Sequence, residues 1–349
     1  MTNSPITTDV AIIGAGPVGL FGIFQCGMLK LSCQVIDALD DVGGQLSALY
    51  PEKPIYDIPG HPEILAGELV SMLEAQAAPF RPGYHLSQQV SELAEQPDGR
   101  FLLTTSRGVR IDAAAVIVAA GVGAFGPNRP PLDGIKAFEG MGPGRGVNYL
   151  VKRREDFRGK KVVIAGGGDS AVDWAVSLAE VAQTIHVVHR RAKFRAAPQT
   201  VKRMQALAET AKVDLVVPYQ LADLAGGPDG LTAVKVADLG GQVRTLEADV
   251  LLPFFGLSQN IGPIAEWGLD LAHNHITVDP EDMSAGRPGI YGAGDIVTYP
   301  GKLKLILTGF SEVALAAHSA RDRVHPDEAY HFEHSTSGGV PGTMADGAS

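Results

Sequence analysis

Cysteine is almost missing from this chain: Cys26 and Cys33 are the only two thiols in 349 residues. Their spacing gives neither a C-x-x-C redox pair nor a zinc site, which takes about four ligands. Two buried thiols in a reducing cytosol are the expectation. Positive charge is scarce too. With 29 Lys and Arg against 39 Asp and Glu, a net charge of −10 and a pI near 5.5, the chain lacks the basic footprint of a nucleic-acid binder. It has no low-complexity run, which argues against global disorder. One apolar run, residues 10–29, is nearly long enough to span a membrane. No Lys or Arg precedes it, as a signal peptide requires, and five glycines and a proline interrupt it. A strand–turn–helix unit explains that pattern better, and a soluble cytoplasmic protein is expected.

Glycine is abundant, with 42 residues, and 45% of the chain is hydrophobic, enough for two domains with sizeable cores. The glycines fall into a pattern. Residues 7–37 read as a buried strand from Val10 to Ile13, then G-x-G-x-x-G at Gly14, Gly16 and Gly19, an apolar helix, a second strand and Asp37. In such a unit Gly14 permits the tight turn, Gly16 lets the backbone approach a pyrophosphate, and Gly19 lets helix and strand pack closely. The helix N-terminus offers free N–H groups to the phosphates. Asp37, about 20 residues beyond the glycines, is placed to accept hydrogen bonds from a ribose diol.

The pattern recurs about 150 residues later, a domain's length away. Strand Val162–Ala165 leads into Gly166, Gly168 and Ala171, with Ser170 in the first turn of a helix running through Ala179, and a strand at Ile185–Val188 follows. Here the acid is replaced. His189, Arg190 and Arg191 stand at the ribose end, with Lys193 and Arg195 just beyond. A carboxylate there would repel a 2′-phosphate. Arginines attract it, each charge-assisted bond being worth roughly 1.5–3 kcal/mol. Arg190 and Arg191 are therefore expected to grip the phosphate, with Arg195 as a third contact and Lys193 left to solvent. The first unit suits a cofactor with a free 2′-hydroxyl, such as FAD, and the second suits NADPH.

Residues 113–122 read as a buried strand ending in glycine, a crossover out of the first domain, and residues 251–260 as the return crossing. Residues 288–297 read as a strand ending in Gly294–Asp295, with Asp295 set to bind the ribityl or pyrophosphate region of a flavin nucleotide. An apolar helix beginning near Thr308 or Gly309 would direct its positive end at the flavin. The expected fold class is α/β, with two Rossmann-like dinucleotide-binding domains. The FAD domain is discontinuous, 1–120 plus 253–349, and the NADP domain, 121–252, is inserted in it.

These motifs resemble the two-dinucleotide-binding flavoprotein reductases, and H-R-R-x-x-x-R at 189–195 is close to the low-molecular-weight thioredoxin reductases. Their hallmark C-x-x-C upstream of the second glycine motif has no counterpart, since residues 146–157 contain no cysteine. Across essentially its whole length the chain resembles instead the thioredoxin-reductase-like ferredoxin–NADP⁺ reductases, notably at residues 40–60 and in the tail at 330–338. The resemblance implies FAD contacts at Asp37, Gln45, Tyr50, Val90, Phe125, Asp295 and Thr336. It also implies a homodimer in which Tyr50 stacks on one flavin face and His334 of a second copy covers the other. From the residues alone, Gln45 donates to flavin or caps a turn, Tyr50 stacks or packs a loop, and His334 lies in a polar tail. Val90 and Phe125 read as ordinary core.

The expected activity follows from the two cofactors: hydride transfer from NADPH to FAD, then one-electron steps to ferredoxin. Hydride transfer needs no protein acid or base. The alternatives are an NADPH-dependent diaphorase acting on flavodoxin, quinones or free flavins, a flavin monooxygenase, and a non-catalytic nucleotide sensor. An acidic iron–sulfur partner needs a basic docking patch. Lys152, Arg153, Arg154, Arg158, Lys160 and Lys161 form one candidate, and Lys302 with Lys304 another. No metal ligands, nucleic-acid contacts or membrane segment are expected.

Overall fold

The computed structural model describes residues 4–328 and 339. The calls on His334 and Thr336 lie outside the described residues. Phe125 lies in a strand, but its side chain is outside the description. The chain divides into two compact units, one built from residues 1–125 and 259–349, the other from 126–258. The sequence-based limits at 120 and 252 lie a few residues before these.

The first unit begins with strand β1 (Ile6–Ile13), whose Val10, Ala11 and Ile12 are fully buried. Apolar side chains on both faces are what a strand sandwiched inside a parallel sheet requires. Helix α1 (Pro17–Met28) follows, with Pro17 in its first turn, where the missing N–H costs nothing. Strand β2 (Cys33–Ile36) returns parallel to β1, pairing Val10 with Cys33 and Ile13 with Ile36. Helices α2 (Gln45–Leu49) and α3 (Ala66–Ala77) lead to β3 (Gly83–His85) beside β2. A meander of β4 (Val90–Glu95), β5 (Phe101–Thr105) and β6 (Arg110–Val118) places β6 parallel to β1 on its other side. The order is β3-β2-β1-β6-β5-β4. The carboxyl ends of β1, β2 and β6 thus lie together, and that edge is where an open α/β sheet binds ligands.

The second unit repeats the plan on a smaller scale. Strands β7 (Gly146–Val147), β8 (Lys161–Ala165), β9 (Thr184–Val188) and β10 (Val213–Val216) join β14 (Val250–Pro253) in a wholly parallel sheet ordered β7-β14-β8-β9-β10. Helix α4 (Asp169–Leu178) connects β8 to β9, and α5 (Pro198–Glu209) connects β9 to β10. Strands β11 (Gln220–Gly227), β12 (Gly230–Ala237) and β13 (Val243–Glu247) form a separate antiparallel sheet. Their buried Leu231, Val234 and Val236 share a core with Val163 and Leu251 of the parallel sheet.

The chain then completes the first unit. Strand β15 (Ile290–Gly292) pairs parallel with β6, and helix α6 (Ile306–Val324) covers the sheet with Val313, Ala316, Ala317 and Ala320. Two expectations shift. The strand near 288–297 ends at Gly292, and Gly294–Ile296 form a 3₁₀ turn, because Gly294 takes φ +82°. The last helix starts at Ile306 rather than near Thr308, since Leu305 is the final extended residue. Cys26 and Cys33 are both free and buried. Among the described residues no helix is long and apolar enough to cross a membrane.

Candidate functional site

At the carboxyl edge of the first unit's sheet lies a cavity of about 440 Å³. Its floor is the first glycine turn. Gly14 takes φ +111°, and a Cβ there would sit 2.3 Å from the carbonyl oxygen of Ala119. A Cβ on Gly19 would sit within 2 Å of the Gly14 carbonyl oxygen, so only glycine lets α1 close onto the turn. Gly16 differs. A Cβ there would meet nothing nearer than Gly44 Cα at 4.0 Å, because the residue faces the cavity. Gly14 and Gly16 line the cavity; Gly19 stands behind it as packing.

Asp37 closes one end. Its Oδ2 accepts the Ala15 N–H at 2.6 Å and its Oδ1 accepts the Leu39 N–H at 2.8 Å. Burial pushes the carboxyl above the usual range, and these backbone bonds act against that shift. Two donors leave lone pairs on both oxygens for a ribose diol. Val90, buried at the start of β4, lines the wall with Gln88 and Gln89.

At the other end, Gln45, Tyr50 and Asp295 face the same space. The Gln45 side chain makes no hydrogen bond to a described residue, and Gly44 caps α2, which leaves the amide available and removes the turn-capping alternative. Burial raises the Tyr50 hydroxyl, and the nearby Asp295 charge raises it further. The Lys53 ammonium sits 5.8 Å from the centre of the Tyr50 ring. Leu305 and Ile306 bring the first turn of α6, with its unpaired N–H groups, to the wall.

Sequence reasoning missed part of this cavity. Gly121 and Gly123, both at positive φ, and the segment Asn260–Ile264 with Trp267 form the side opposite the glycine turn. The two glycines were a usable signal; the 260–267 segment carries none, because it reaches the cavity only through the fold.

The second unit holds a cavity of about 520 Å³ beside its own glycine turn. A Cβ on Gly166 would crowd Phe254 O at 2.8 Å and Ala171 Cβ at 2.9 Å, whereas one on Gly168 would meet nothing within 4 Å. Arg190, Arg191 and Arg195 all line the cavity, and none forms an ion pair with a described residue. Lys193 does not line it. Ser170 is exposed on the first turn of α4 and stands outside the wall.

Three bonds fix the arginine-bearing loop: the His189 N–H to Val216 O at 3.2 Å, the Arg195 N–H to Gly167 O at 2.7 Å, and the Ala197 N–H to Asp169 Oδ1 at 2.9 Å. The His189 ring stacks on Phe194 at 5.2 Å, and its buried Nε2 has no partner among the described residues. Burial, and then the three arginine charges, lower its pKa, so the ring is neutral near pH 7. Pro130–Leu132, Tyr219–Leu221 and Phe254–Phe255 complete the walls, apolar surface that the motif alone does not announce.

The basic patches fare unevenly. Lys302 is only 5% exposed and is bound to Glu312, so it is not a docking residue; its burial depends on a partner ten residues away. Arg154, Arg158 and Lys161 pair with Glu180, Glu155 and Glu247. Lys152 and Arg153 are exposed, with no ion pair to a described residue.

Both cavities therefore fit extended dinucleotides: each has an open glycine beneath a helix N-terminus, one with an acid at the ribose end and one with arginines. Residues 8–320 match a family model described as pyridine nucleotide-disulphide oxidoreductase. The chain is 65% identical over 334 residues to a ferredoxin–NADP reductase of Paramagnetospirillum magneticum, covering 96% of this chain and 98% of that one. It is 61% identical to one of Rhodospirillum rubrum, covering 98% and 99%. Among solved structures, thioredoxin reductase of T. acidophilum superposes with a TM-score of 0.76 at 22% identity, covering 90% of this chain and 98% of that one. That of Lactococcus lactis also superposes at 0.76 and 22%, covering 91% and 99%.

Proposed function

The chain belongs to the pyridine nucleotide-disulphide oxidoreductase family, and from that premise we infer that it is a ferredoxin–NADP reductase using FAD and NADP(H). The observation that carries this reading is the end-to-end match to curated relatives of that name at 61–65% identity. The geometry supports it. A family named for disulphide chemistry is represented here by a chain whose two cysteines are both buried, at Cys26 and Cys33, with none at 146–157. The electrons must therefore leave for an acceptor other than a disulphide relayed through a protein dithiol.

When bound, the nicotinamide and flavin supply the hydride transfer and the split into single electrons. The chain's residues do the rest. Gly14 and Gly16 give the flavin nucleotide's pyrophosphate access to backbone N–H groups, and Asp37 accepts from its ribose. Gln45 donates to the ring system, Tyr50 stacks on it, Asp295 binds the ribityl–pyrophosphate region and Val90 packs the adenine end. In the second cavity Gly166 and Gly168 cradle the other pyrophosphate, while Arg190, Arg191 and Arg195 hold the 2′-phosphate. The Phe125 and Thr336 contacts, and coverage of the second flavin face by His334 from a second copy in a homodimer, belong to the same reading. A cytoplasmic location and use of flavodoxin as an alternative carrier complete it.

Anaerobic stopped-flow mixing tests the assignment. NADPH should bleach the flavin band within the instrument's range, and oxidised ferredoxin added next should restore it. Reoxidation by quinone but not by ferredoxin would replace the reading with a diaphorase, and a colourless protein that rejects FAD would end it.

A further inference from the structure

Glu312 lies in the middle of α6, with a side chain only 3% exposed. A carboxylate so placed is costly unless charge and hydrogen bonds compensate it. Three donors converge on it. The Gly294 N–H reaches Oε2 at 2.7 Å, the Tyr299 hydroxyl reaches Oε1 at 2.6 Å, and the Lys302 ammonium binds the same Oε1. Lys302 is buried with it and lies 5.7 Å from the Tyr299 ring centre. Burial and the bond to Glu312 push the Tyr299 hydroxyl up to about 12, so it remains a donor at any working pH.

The donors come from two segments, and both continue into the wall of the first cavity. Gly294 and Asp295 line it directly. The loop that carries Tyr299 and Lys302 runs on into Lys304, Leu305 and Ile306, which line it as well. The packing leaves little slack around the turn. A Cβ on Gly309 of α6 would approach Gly294 Cα to 3.3 Å and Val18 Cγ2 to 2.4 Å. One carboxylate therefore ties the Asp295 turn and the approach to the α6 N-terminus to the same point.

We propose that Glu312 is a positioning residue of the flavin site, holding the Gly294–Asp295 turn and the Lys302–Ile306 segment in register and so setting FAD affinity and reduction potential. It touches neither the reacting atoms nor substrate. The proposal rests on the FAD reading above. A purely structural ion pair behaves differently, because replacing both partners by neutral groups is often neutral for stability and would leave the flavin untouched.

Two variants separate these cases. Glu312→Gln keeps the shape but leaves the Lys302 charge buried and uncompensated. Glu312→Leu with Lys302→Met removes both charges and keeps the fold even if the single variant does not. FAD dissociation constants, spectroelectrochemical midpoint potentials, visible spectra and melting temperatures are measured on each. Near-wild-type melting of the double variant is expected together with FAD weakened by about tenfold or more, the loss expected for a charge-assisted hydrogen bond, a displaced potential and an altered visible band. Wild-type affinity and potential in the double variant overturn the proposal. A wild-type protein that takes up no FAD overturns the cofactor reading, and the proposal with it.

Discussion

Replacing Arg190 and Arg191 together by alanine removes two guanidinium groups from the wall of the second cavity. Neither is paired to a described residue, so the fold loses no internal ion pair. A charge-assisted hydrogen bond to a phosphate is worth roughly 1.5–3 kcal/mol, and solvent exposure of both side chains points to the low end. Two such contacts amount to about 3 kcal/mol, or roughly two powers of ten. The apparent KM for NADPH should therefore rise about 100-fold, and that for NADH, which lacks the 2′-phosphate, by no more than about threefold. Steady-state ferricyanide reduction at fixed ionic strength, with each nicotinamide varied in turn, reads both numbers. High salt should narrow the wild-type preference, because these charges are exposed to counterions. The melting temperature should barely move, as expected for surface positions. Equal increases in both KM values would refute the pocket assignment. A large drop in melting temperature would show that the loop, not the phosphate, had been disturbed.

The two glycines of the first turn should fail in different ways. Gly19→Val drives a side chain into the Gly14 carbonyl and should lower the melting temperature of the apoprotein, whereas Gly16→Val fills only the open cavity and should abolish FAD uptake with apoprotein melting unchanged. Identical behaviour of the pair would contradict the assigned roles. His189 has a folded pKa below its unfolded one, so its contribution to stability is present above the unfolded value near 6.5 and is lost as pH falls through the folded value. Melting profiles between about pH 7 and 5 should accordingly be flatter for His189→Phe than for wild type, and parallel profiles would remove that account. Lys152→Glu with Arg153→Glu should slow ferredoxin reduction at low salt and converge on wild type at high salt; an unchanged rate would take the docking role from these residues.

The sequence made legible what chemistry confines to a short stretch. Gly14, Gly16 and Gly19 cannot be exchanged without a clash or a blocked cavity, so the turn is written into consecutive residues. Arg190, Arg191 and Arg195 likewise stand where their spacing from Gly166 puts them. The far walls were not legible. Asn260–Trp267 and Tyr219–Leu221 reach the cavities through sheet topology, and nothing in their local composition marks them. Lys302 shows the same limit from another side. Beside Lys304 it reads as surface charge, and only the return of α6, which brings Glu312 alongside, turns it inward. Ser170 fits the motif by position, yet the helix turns its residue outward.

The anchoring of residues 189–197 bears on how this protein could be re-specified. Its backbone is tied to Val216, Gly167 and Asp169 through main-chain N–H groups that any residue except proline supplies. The discriminating side chains are thus borne by a frame that does not depend on their identity. Nicotinamide preference becomes an exchangeable part, open to revision by side-chain replacement with no loop rebuilt. A lineage or an engineer could alter the electron source while leaving the flavin half of the molecule unchanged.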